Sequence, residues 1–202
     1  EILSGLVGSE MCIRDRSAGL GAAQAIALLG IELHSRRRNR MNGQISAWDG
    51  KRFDISVGES FGNCPQYIQA REFFFSRSPA LRFPGAGHER AALNEADRAL
   101  ISQADTLFVT SYADTDDARR RVDVSHRGGK PGFVRVDGNT LTIPDFSGNR
   151  FFNTLGNLVI NPRAGLLFID FERGDVLQLS GRAEVVLDLS LIHISEPTRP
   201  ER

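Results

Sequence analysis

The segment FVRVDGNTLTI, residues 133–143, constrains the fold more than any other part of the chain. Apolar and polar residues alternate on both sides of the pair Asp137-Gly138. An Asp-Gly pair between two such runs is typical of a tight hairpin turn, because glycine readily adopts a positive φ. The segment therefore predicts two antiparallel strands.

Further elements follow from the spacing of apolar residues. Residues 93–104 predict a helix and residues 106–112 a strand, and a short helix is expected from about Asn149 or Arg150 to Ile160, before Pro162. Residues 166–171 and 176–186 predict two strands around the turn ERGD. Because strands outnumber helices without a repeated strand-helix-strand order, we expect a mainly β (α+β) fold, a small antiparallel barrel.

The two ends of the chain are related through the genetic code. The segments LVGSEMCIRDR, residues 6–16, and LSLIHISEPTR, residues 189–199, can be encoded by the two complementary strands of one DNA sequence. This relation is typical of a sequencing adapter ligated to both ends of a DNA fragment. We therefore interpret residues 1–16 and 189–202 as adapter-derived and residues 17–188 as a native, truncated metagenomic fragment.

Composition limits the classes of function. The chain of 202 residues has 25 acidic and 25 basic residues, which argues against a general nucleic-acid binder or a polybasic membrane protein. No apolar run reaches the length of a membrane-spanning helix. Without the adapter segments Cys64 is the only cysteine, so no disulfide within the chain is expected and a cytoplasmic location is predicted.

The sequence also contains an internal repeat. Residues 166–183 align without gaps on residues 28–45, at an offset of 138, with Gly181 on Gly43 and Asp170 on Glu32. A duplicated module explains the alignment, although any two similar strand pairs share an apolar pattern. The expected organisation is a hairpin remnant of a first module at 17–58, an ordered connector at 59–90 and a complete module at 91–188.

Two polar clusters are candidate binding sites for an anion. Ser147, Gly148, Asn149 and Arg150 cluster at the start of the predicted helix, whose first N–H groups favour a phosphate; an ordinary Ser or Asn cap is the alternative. The segment DVSHRGGKPGFVR, residues 123–135, offers a hydroxyl, an imidazole and three basic side chains, or else forms a solvated basic loop. The arginine-rich turn HSRRRNR, residues 34–40, is either a solvated surface turn or completes an anion site between the modules.

No metal-ligand or catalytic constellation stands out in the sequence. Cys64 has no neighbouring lysine or histidine to lower its pKa and is expected to be a buried packing residue. The segment GLGAAQA, residues 19–25, matches part of a dinucleotide-binding fingerprint, but no strand leads into it. We predict no metal site and name no catalytic residue.

The run from DVSHRGGKPGFVRVDGNTLTIPDFSGNRFFNTLGNLVINPRAGLLFIDF to LQLSGRAEV resembles the pyridoxamine 5′-phosphate oxidase-like, FMN-binding split-barrel family. The segments GIELHSRRRNRMNG and SFGNCPQYIQARE are similar to the branch in which this unit precedes ferredoxin-reductase and iron–sulfur domains. The resemblance covers nearly all of residues 26–186. It implies a six-stranded antiparallel split β-barrel with short helices that holds FMN where two barrels meet.

The resemblance also implies a cofactor site and partners. Its FMN-binding positions correspond here to Ser125, His126, Arg127, Phe133, Val134, Arg135, Asn149, Arg150 and Asn153. The Ser-Arg-Lys run of true pyridoxamine phosphate oxidases is replaced at the helix start, which puts vitamin B6 oxidation in doubt. The expected protein is a homodimer or an intrachain pseudo-dimer, with reductase and iron–sulfur domains in the full-length chain and neither nucleic acid nor membrane as a partner.

Three functions are compatible with these observations. The first is an FMN-binding oxidoreductase module, probed by its absorption spectrum. The second is a non-catalytic docking or dimerisation module, and the third is a split barrel that binds a deazaflavin or haem. For haem, His126 is the only obvious axial ligand in the complete module.

Overall fold

The computed structural model describes residues 5–7, 21–49, 52–62, 66–72, 74, 87–115, 119–147 and 152–186, and for residues 5–7 the backbone alone. Ten strands and two helices lie in these ranges. In chain order they are β1 (Gly5–Val7), β2 (Ala25–Glu32), β3 (Arg37–Trp48), β4 (Phe53–Phe61), α1 (Glu95–Gln103), β5 (Thr106–Asp114), β6 (Arg120–Gly128), β7 (Arg135–Asp137), β8 (Thr140–Thr142), α2 (Asn153–Ile160), β9 (Arg163–Ile169) and β10 (Val176–Arg182).

The strands form three antiparallel sheets. The first sheet has the order β1-β2-β3-β4, the second has the order β10-β9-β5-β6, and β7 pairs with β8 alone. Strand β1 falls within residues 1–16, the segment interpreted as adapter-derived. The predicted mainly β, antiparallel α+β architecture is confirmed, and no sheet closes on itself in the described part of the chain.

The two repeat hairpins have the same strand register. In the first repeat hairpin, β2–β3, Leu28 lies opposite Met41; in the second, β9–β10, Leu166 lies opposite Leu179. The turns match as well, because Arg36 and Gly174, which the alignment superposes, both have a positive φ, of 54° and 80°. Arg36 adopts a backbone conformation that glycine accommodates more easily. The hairpins are therefore equivalent in pairing and turn geometry as well as in sequence.

One hydrophobic core lies between the two four-stranded sheets. Alternate residues of β2, among them Leu29 and Ile31, pack against Phe108 of β5 and Val122 and Val124 of β6. A second core lies on the other face of β5, where Leu107 and Val109 meet α1, the β7–β8 hairpin and Phe168 of β9. Strand β5 thus has apolar residues on both faces, which explains the consecutive apolar residues Leu107, Phe108 and Val109 in its sequence.

Part of the connector packs into the first core. Ile68 is fully buried there. The backbone carbonyl of Tyr67 approaches Gly128 at the end of β6 so closely that a Cβ on this glycine would overlap it. The described connector residues 66–72 are therefore integrated into the fold, as the aromatic content of the segment suggested.

Several predicted elements agree with the structure. Helix α1 begins after Asn94, whose side chain and Asp97 form a reciprocal capping box. Strand β5 and the β7–β8 hairpin form as expected, with Gly138 at a φ of 59°. Strand β4 continues to Phe61, three residues past the expected domain boundary at residue 58.

Two interpretations need correction. Helix α2 begins at Asn153, with Phe152 as its N-cap residue, three to four residues after the start expected at Asn149 or Arg150. Residues 123–128 of the segment DVSHRGGKPGFVR belong to strand β6 and not to a solvated loop, and all of them except Arg127 are buried. Strand β4 was not predicted, although Phe53, Ile55 and Val57 alternate with the polar residues Asp54 and Ser56.

The close approach at Gly128 leads to a stability prediction. Gly128→Ala should lower the free energy of unfolding by about 2 kcal/mol or more, because the backbone of the connector must move to admit the methyl group. Urea denaturation followed by circular dichroism measures this difference. Gly62→Ala is the control, since a Cβ there has no heavy atom within 4 Å; equal effects of the two substitutions would contradict the assigned packing.

Candidate functional site at the contact between the repeats

A buried ion pair links the first repeat hairpin to the second module. Arg40 of β3 donates from Nη1 to the carboxylate oxygens of Asp123 in β6, at 3.1 and 3.3 Å. The exposed fractions of the two side chains are 5% and 1%. The Arg40 guanidinium also lies 4.9 Å from the ring centre of Phe61 in β4. This pair brings a cation of the arginine-rich segment into the interior of the molecule.

Helix α2 joins the same network. The Thr154 hydroxyl donates to the second carboxylate oxygen of Asp123 at 2.6 Å, and Asn157 Nδ2 donates to Ser111 Oγ at 3.2 Å. Asp123 therefore accepts hydrogen bonds from both β3 and α2. The start of α2 is held against β5 and β6 by polar contacts that leave the carboxylate fully satisfied.

The first turn of α2 has no side-chain cap. Phe152 occupies the N-cap position and makes no capping hydrogen bond, and the first turn contains no acidic residue. The expected alternative of an ordinary Ser or Asn cap is therefore not found at the observed helix start. Asn153, the first helical residue, is half-buried. Backbone N–H groups at such a start attract an anion.

Arg127 connects β6 to the segment before α2. Its Nη1 donates to Ser125 Oγ at 2.7 Å, and its Nε lies 3.5 Å from a carboxylate oxygen of Asp145. Burial lowers the pKa of Arg127, and the charges of Asp145 and Asp123 oppose this shift. Nearby, the Tyr67 hydroxyl donates to the Ser147 carbonyl. Arg127 of the segment DVSHRGGKPGFVR thus contacts Asp145, two residues before Ser147 of the other predicted cluster, whose remaining residues, 148–150, lie outside the described ranges.

His126 faces the opposite side of β6, towards the core between the sheets. Its ring meets Phe108 edge-on at 5.7 Å and is 4% exposed. Burial, together with the charges of Arg38, Arg127 and Arg71, lowers the pKa of His126 to about 3. The imidazole is therefore neutral at physiological pH, and its position within the core makes it a poor candidate for an axial haem ligand.

Arg71 of the connector lies between the turns of the two repeat hairpins. Its backbone N–H donates to the carbonyl of Leu33, and its guanidinium stacks 4.1 Å from the ring centre of Phe171. Leu33 and Phe171 are equivalent residues in the repeat alignment. Arg71 also binds Asp105 through Nη2 at 2.5 and 2.6 Å. The connector therefore contacts corresponding points of both repeats.

The remaining predicted site residues lie in different surroundings. Val134 is buried in the second core, and Phe133 is half-buried with its ring 6.5 Å from that of Phe146. Arg135 is exposed on β7 and its guanidinium donates to Thr142 in the same hairpin. Asn149 and Arg150 lie outside the described residues, as does Cys64. The geometry brings Ser125 and Arg127 together with Asp145 and places the start of α2 against Asp123, whereas Arg135 contacts its own hairpin.

Sequence reasoning did not single out three members of the buried network: Arg40, Asp123 and Thr154. The first two were part of longer quoted segments, but neither was assigned a contact. One signal was available for Arg40, because Arg38, Arg40 and Asn42 alternate along β3 and lie opposite the inward-facing Ile31, Leu29 and Ala27 of β2. Residues directly opposite each other in a strand pair project to the same face. Nothing local in the sequence marks Asp123 and Thr154 as neighbours.

Comparison with known proteins gives no further assignment. No protein-family model matches the chain, and neither a curated protein nor a solved structure matches it. Within the described ranges, no group of three or more His, Cys, Asp or Glu residues is arranged to hold a metal ion. None of the helices described is both long enough and apolar enough to cross a membrane.

The buried ion pair gives a testable energetic prediction. Arg40→Met should lower the free energy of unfolding by about 3–5 kcal/mol, because it leaves the Asp123 carboxylate buried without its cation. The double variant Arg40→Met, Asp123→Leu should be less destabilised than the sum of the single variants. Denaturant unfolding of all four chains measures the coupling, and strictly additive losses would contradict a direct pair.

The buried histidine predicts a pH dependence of stability. Because the pKa of His126 falls from 6.5 to about 3 on folding, only the unfolded chain binds its proton between these values. Stability should therefore be retained above pH 6.5 and fall by about 1.4 kcal/mol per pH unit as the pH drops below about 6. His126→Gln should reduce this slope between pH 6 and 4.5, whereas His88→Gln, at an exposed position, should preserve it. If the free energy of unfolding changed with pH by the same slope in both variants, His126 would not be the origin of the pH dependence.

Proposed function

We propose that this chain carries an FMN-binding oxidoreductase module of the pyridoxamine 5′-phosphate oxidase-like type, from a larger electron-transfer flavoprotein. The observations that carry the proposal are the contact of Arg127 with Asp145, in the segment that precedes α2, and the absence of a side-chain cap at the described start of that helix. A cation, a hydroxyl and the first backbone N–H groups of a helix suit the phosphate of a flavin nucleotide.

The number and arrangement of strands support this assignment. Six strands, β5 to β10, lie in the predicted module at 91–188, the number that a split barrel of this family requires. All their pairings are antiparallel, and the short helix α2 precedes the Asn-Pro-Arg turn before β9. We therefore propose the split barrel as the architecture of the complete module.

The contact between the repeats supports an intrachain pseudo-dimer. The first repeat hairpin packs against β5 and β6 through the core between the sheets, and Arg40 reaches Asp123 across that contact. In this family type FMN is expected where two barrels meet. The first repeat thus supplies the surroundings that a second subunit would otherwise provide.

The chain's own residues have separate roles in this proposal. The first N–H groups of α2 would hold the phosphate, and Arg127 would turn from Asp145 towards it, since their 3.5 Å contact is a loose ion pair. Ser125 positions Arg127 through the 2.7 Å hydrogen bond. The Arg40 cation neutralises Asp123, which would otherwise repel the phosphate. FMN, when bound, supplies the electron or hydride transfer.

One observation favours a second candidate, a non-catalytic docking module. Arg40, Asp123 and Thr154 are fully engaged in holding the repeats and α2 together, so this polar network has a structural function without any ligand. A docking module would leave the reductase activity of the full-length chain unchanged when Asn153 and Arg150 are replaced. A large loss of activity would instead favour cofactor binding.

Flavin binding can be tested with a charge introduced at the helix start. FMN added to the purified chain should lose fluorescence on binding, and Asn153→Asp should weaken the affinity roughly tenfold, because a carboxylate there repels phosphate. The same substitution favours the helix dipole, so loss of binding would not reflect unfolding.

The matched control introduces the same charge elsewhere. Gln178→Glu places a carboxylate at an exposed position of β10, away from α2, and should leave the affinity for FMN unchanged. Absence of binding by the unaltered chain at millimolar FMN would refute the proposal for this chain. An equal loss of affinity in both variants would refute the assigned position of the phosphate.

A further inference from the structure

Tyr67 of the connector contacts both chain segments that carry the Arg127–Asp145 ion pair. Its backbone carbonyl lies against Gly128, the residue after Arg127 in β6. Its hydroxyl donates to the carbonyl of Ser147, two residues after Asp145, at 2.9 Å. One residue of the connector therefore links the end of β6 to the segment before α2.

The ring of Tyr67 adds an aromatic contact to the segment before α2. Its centre lies 5.4 Å from that of Phe146 in this segment, and the centre of the Phe146 ring lies 6.5 Å from that of Phe133. Phe133 in turn packs against Gly129, where a Cβ would overlap its ring. Aromatic pairs at such separations attract each other. The ring and the hydroxyl of Tyr67 therefore hold this segment at two points.

The backbone of Tyr67 has an unusual conformation for a tyrosine. Its φ is 66°, in the left-handed region that residues other than glycine rarely adopt. Such a conformation costs free energy, persists only where surrounding contacts hold it, and occurs frequently at functional sites. The next two residues supply such contacts, because Ile68 is fully buried and Gln69 donates to the Gly129 carbonyl at 3.4 Å.

The contact between Arg127 and Asp145 is longer than two opposite charges reach when they are free to approach. Arg127 Nε lies 3.5 Å from the carboxylate oxygen, whereas an unconstrained charge-assisted hydrogen bond has a length of about 2.8 Å. The strength of a hydrogen bond depends steeply on distance and angle. A small movement of the segment before α2 would therefore change how tightly Asp145 holds Arg127.

We propose that Tyr67 is a positioning residue of the candidate phosphate site, which keeps Asp145 from closing on Arg127 and so leaves this arginine available to an anion. The identity of the anion, a flavin phosphate, rests on the proposed function. Tyr67 belongs to the connector at 59–90 and not to the predicted module at 91–188. The connector therefore contributes to the site by controlling the competition between a carboxylate and a phosphate for one guanidinium.

The first test follows the Arg127 side chain by NMR in the absence of flavin. Tyr67→Phe removes the hydroxyl and keeps the ring, so the ion pair should close and the exchange of the Arg127 Nε–H proton with water should slow by about threefold or more. Tyr112→Phe makes the same chemical change at the other tyrosine, which stacks on Arg120, and should leave this exchange unchanged. Unchanged or faster exchange in Tyr67→Phe, or an equal change in Tyr112→Phe, would overturn the proposal.

The second test compares FMN with riboflavin, which has the same ring system but no phosphate. Tyr67→Phe should weaken the affinity for FMN about fivefold and leave that for riboflavin unchanged, because only the phosphate competes with Asp145 for Arg127. Asp145→Asn removes the competing carboxylate, so in its background Tyr67→Phe should no longer change the affinity for FMN. An equal loss for both flavins, or a loss that persists in the Asp145→Asn background, would indicate a structural role alone and contradict the proposal.

The two tests separate this proposal from the proposed function. If the unaltered chain binds neither flavin but the Arg127 exchange slows in Tyr67→Phe, the flavin site is refuted and the control of the ion pair by Tyr67 is supported. If FMN binds but the Arg127 exchange does not respond, the flavin site is supported and the positioning role of Tyr67 is refuted.

Discussion

The contact between Arg40 and Asp123 determines how the parts of this protein are arranged. A buried ion pair has a favourable free energy only when both charges keep hydrogen-bonding partners, and here Thr154 supplies a further donor to the carboxylate. The pair fixes β3 against β6 and, through Thr154, positions the start of α2. Packing of the apolar core between the sheets buries hydrophobic surface, whereas this polar network fixes the positions of β3 and α2 relative to β6.

The two repeat hairpins have the same pairing but different surroundings. Register and turn are shared, but Arg40 is buried against the second module while its counterpart Gln178 is exposed. In the described ranges, the first repeat hairpin contacts β6 through Arg40, whereas β10 of the second has β9 as its strand neighbour. The two hairpins therefore share their pairing and turn geometry but not the surroundings of positions 40 and 178.

Local sequence signals predicted the elements whose formation depends on residues close together in the sequence. The Asp137-Gly138 turn, helix α1 and the alignment of the two hairpins were predicted because turn residues, apolar periodicity and repeats can be read from neighbouring residues in the sequence. Strand β6 and the start of α2 were misassigned, since the polar residues of DVSHRGGK are buried by partners distant in sequence. The candidate site shows the same difference between local and distant signals. Ser125 and Arg127 were predicted as site residues from the sequence, whereas Arg40 and Thr154 were not.

By itself the sequence determined the antiparallel hairpins, the repeat and the candidate polar clusters, because these depend on side-chain alternation and on glycine at turns. Only the tertiary structure decided that Arg40 meets Asp123, that His126 is enclosed by the core and that Arg135 remains at the surface. Burial of a polar group depends on partners far along the chain, and no local pattern specifies those partners.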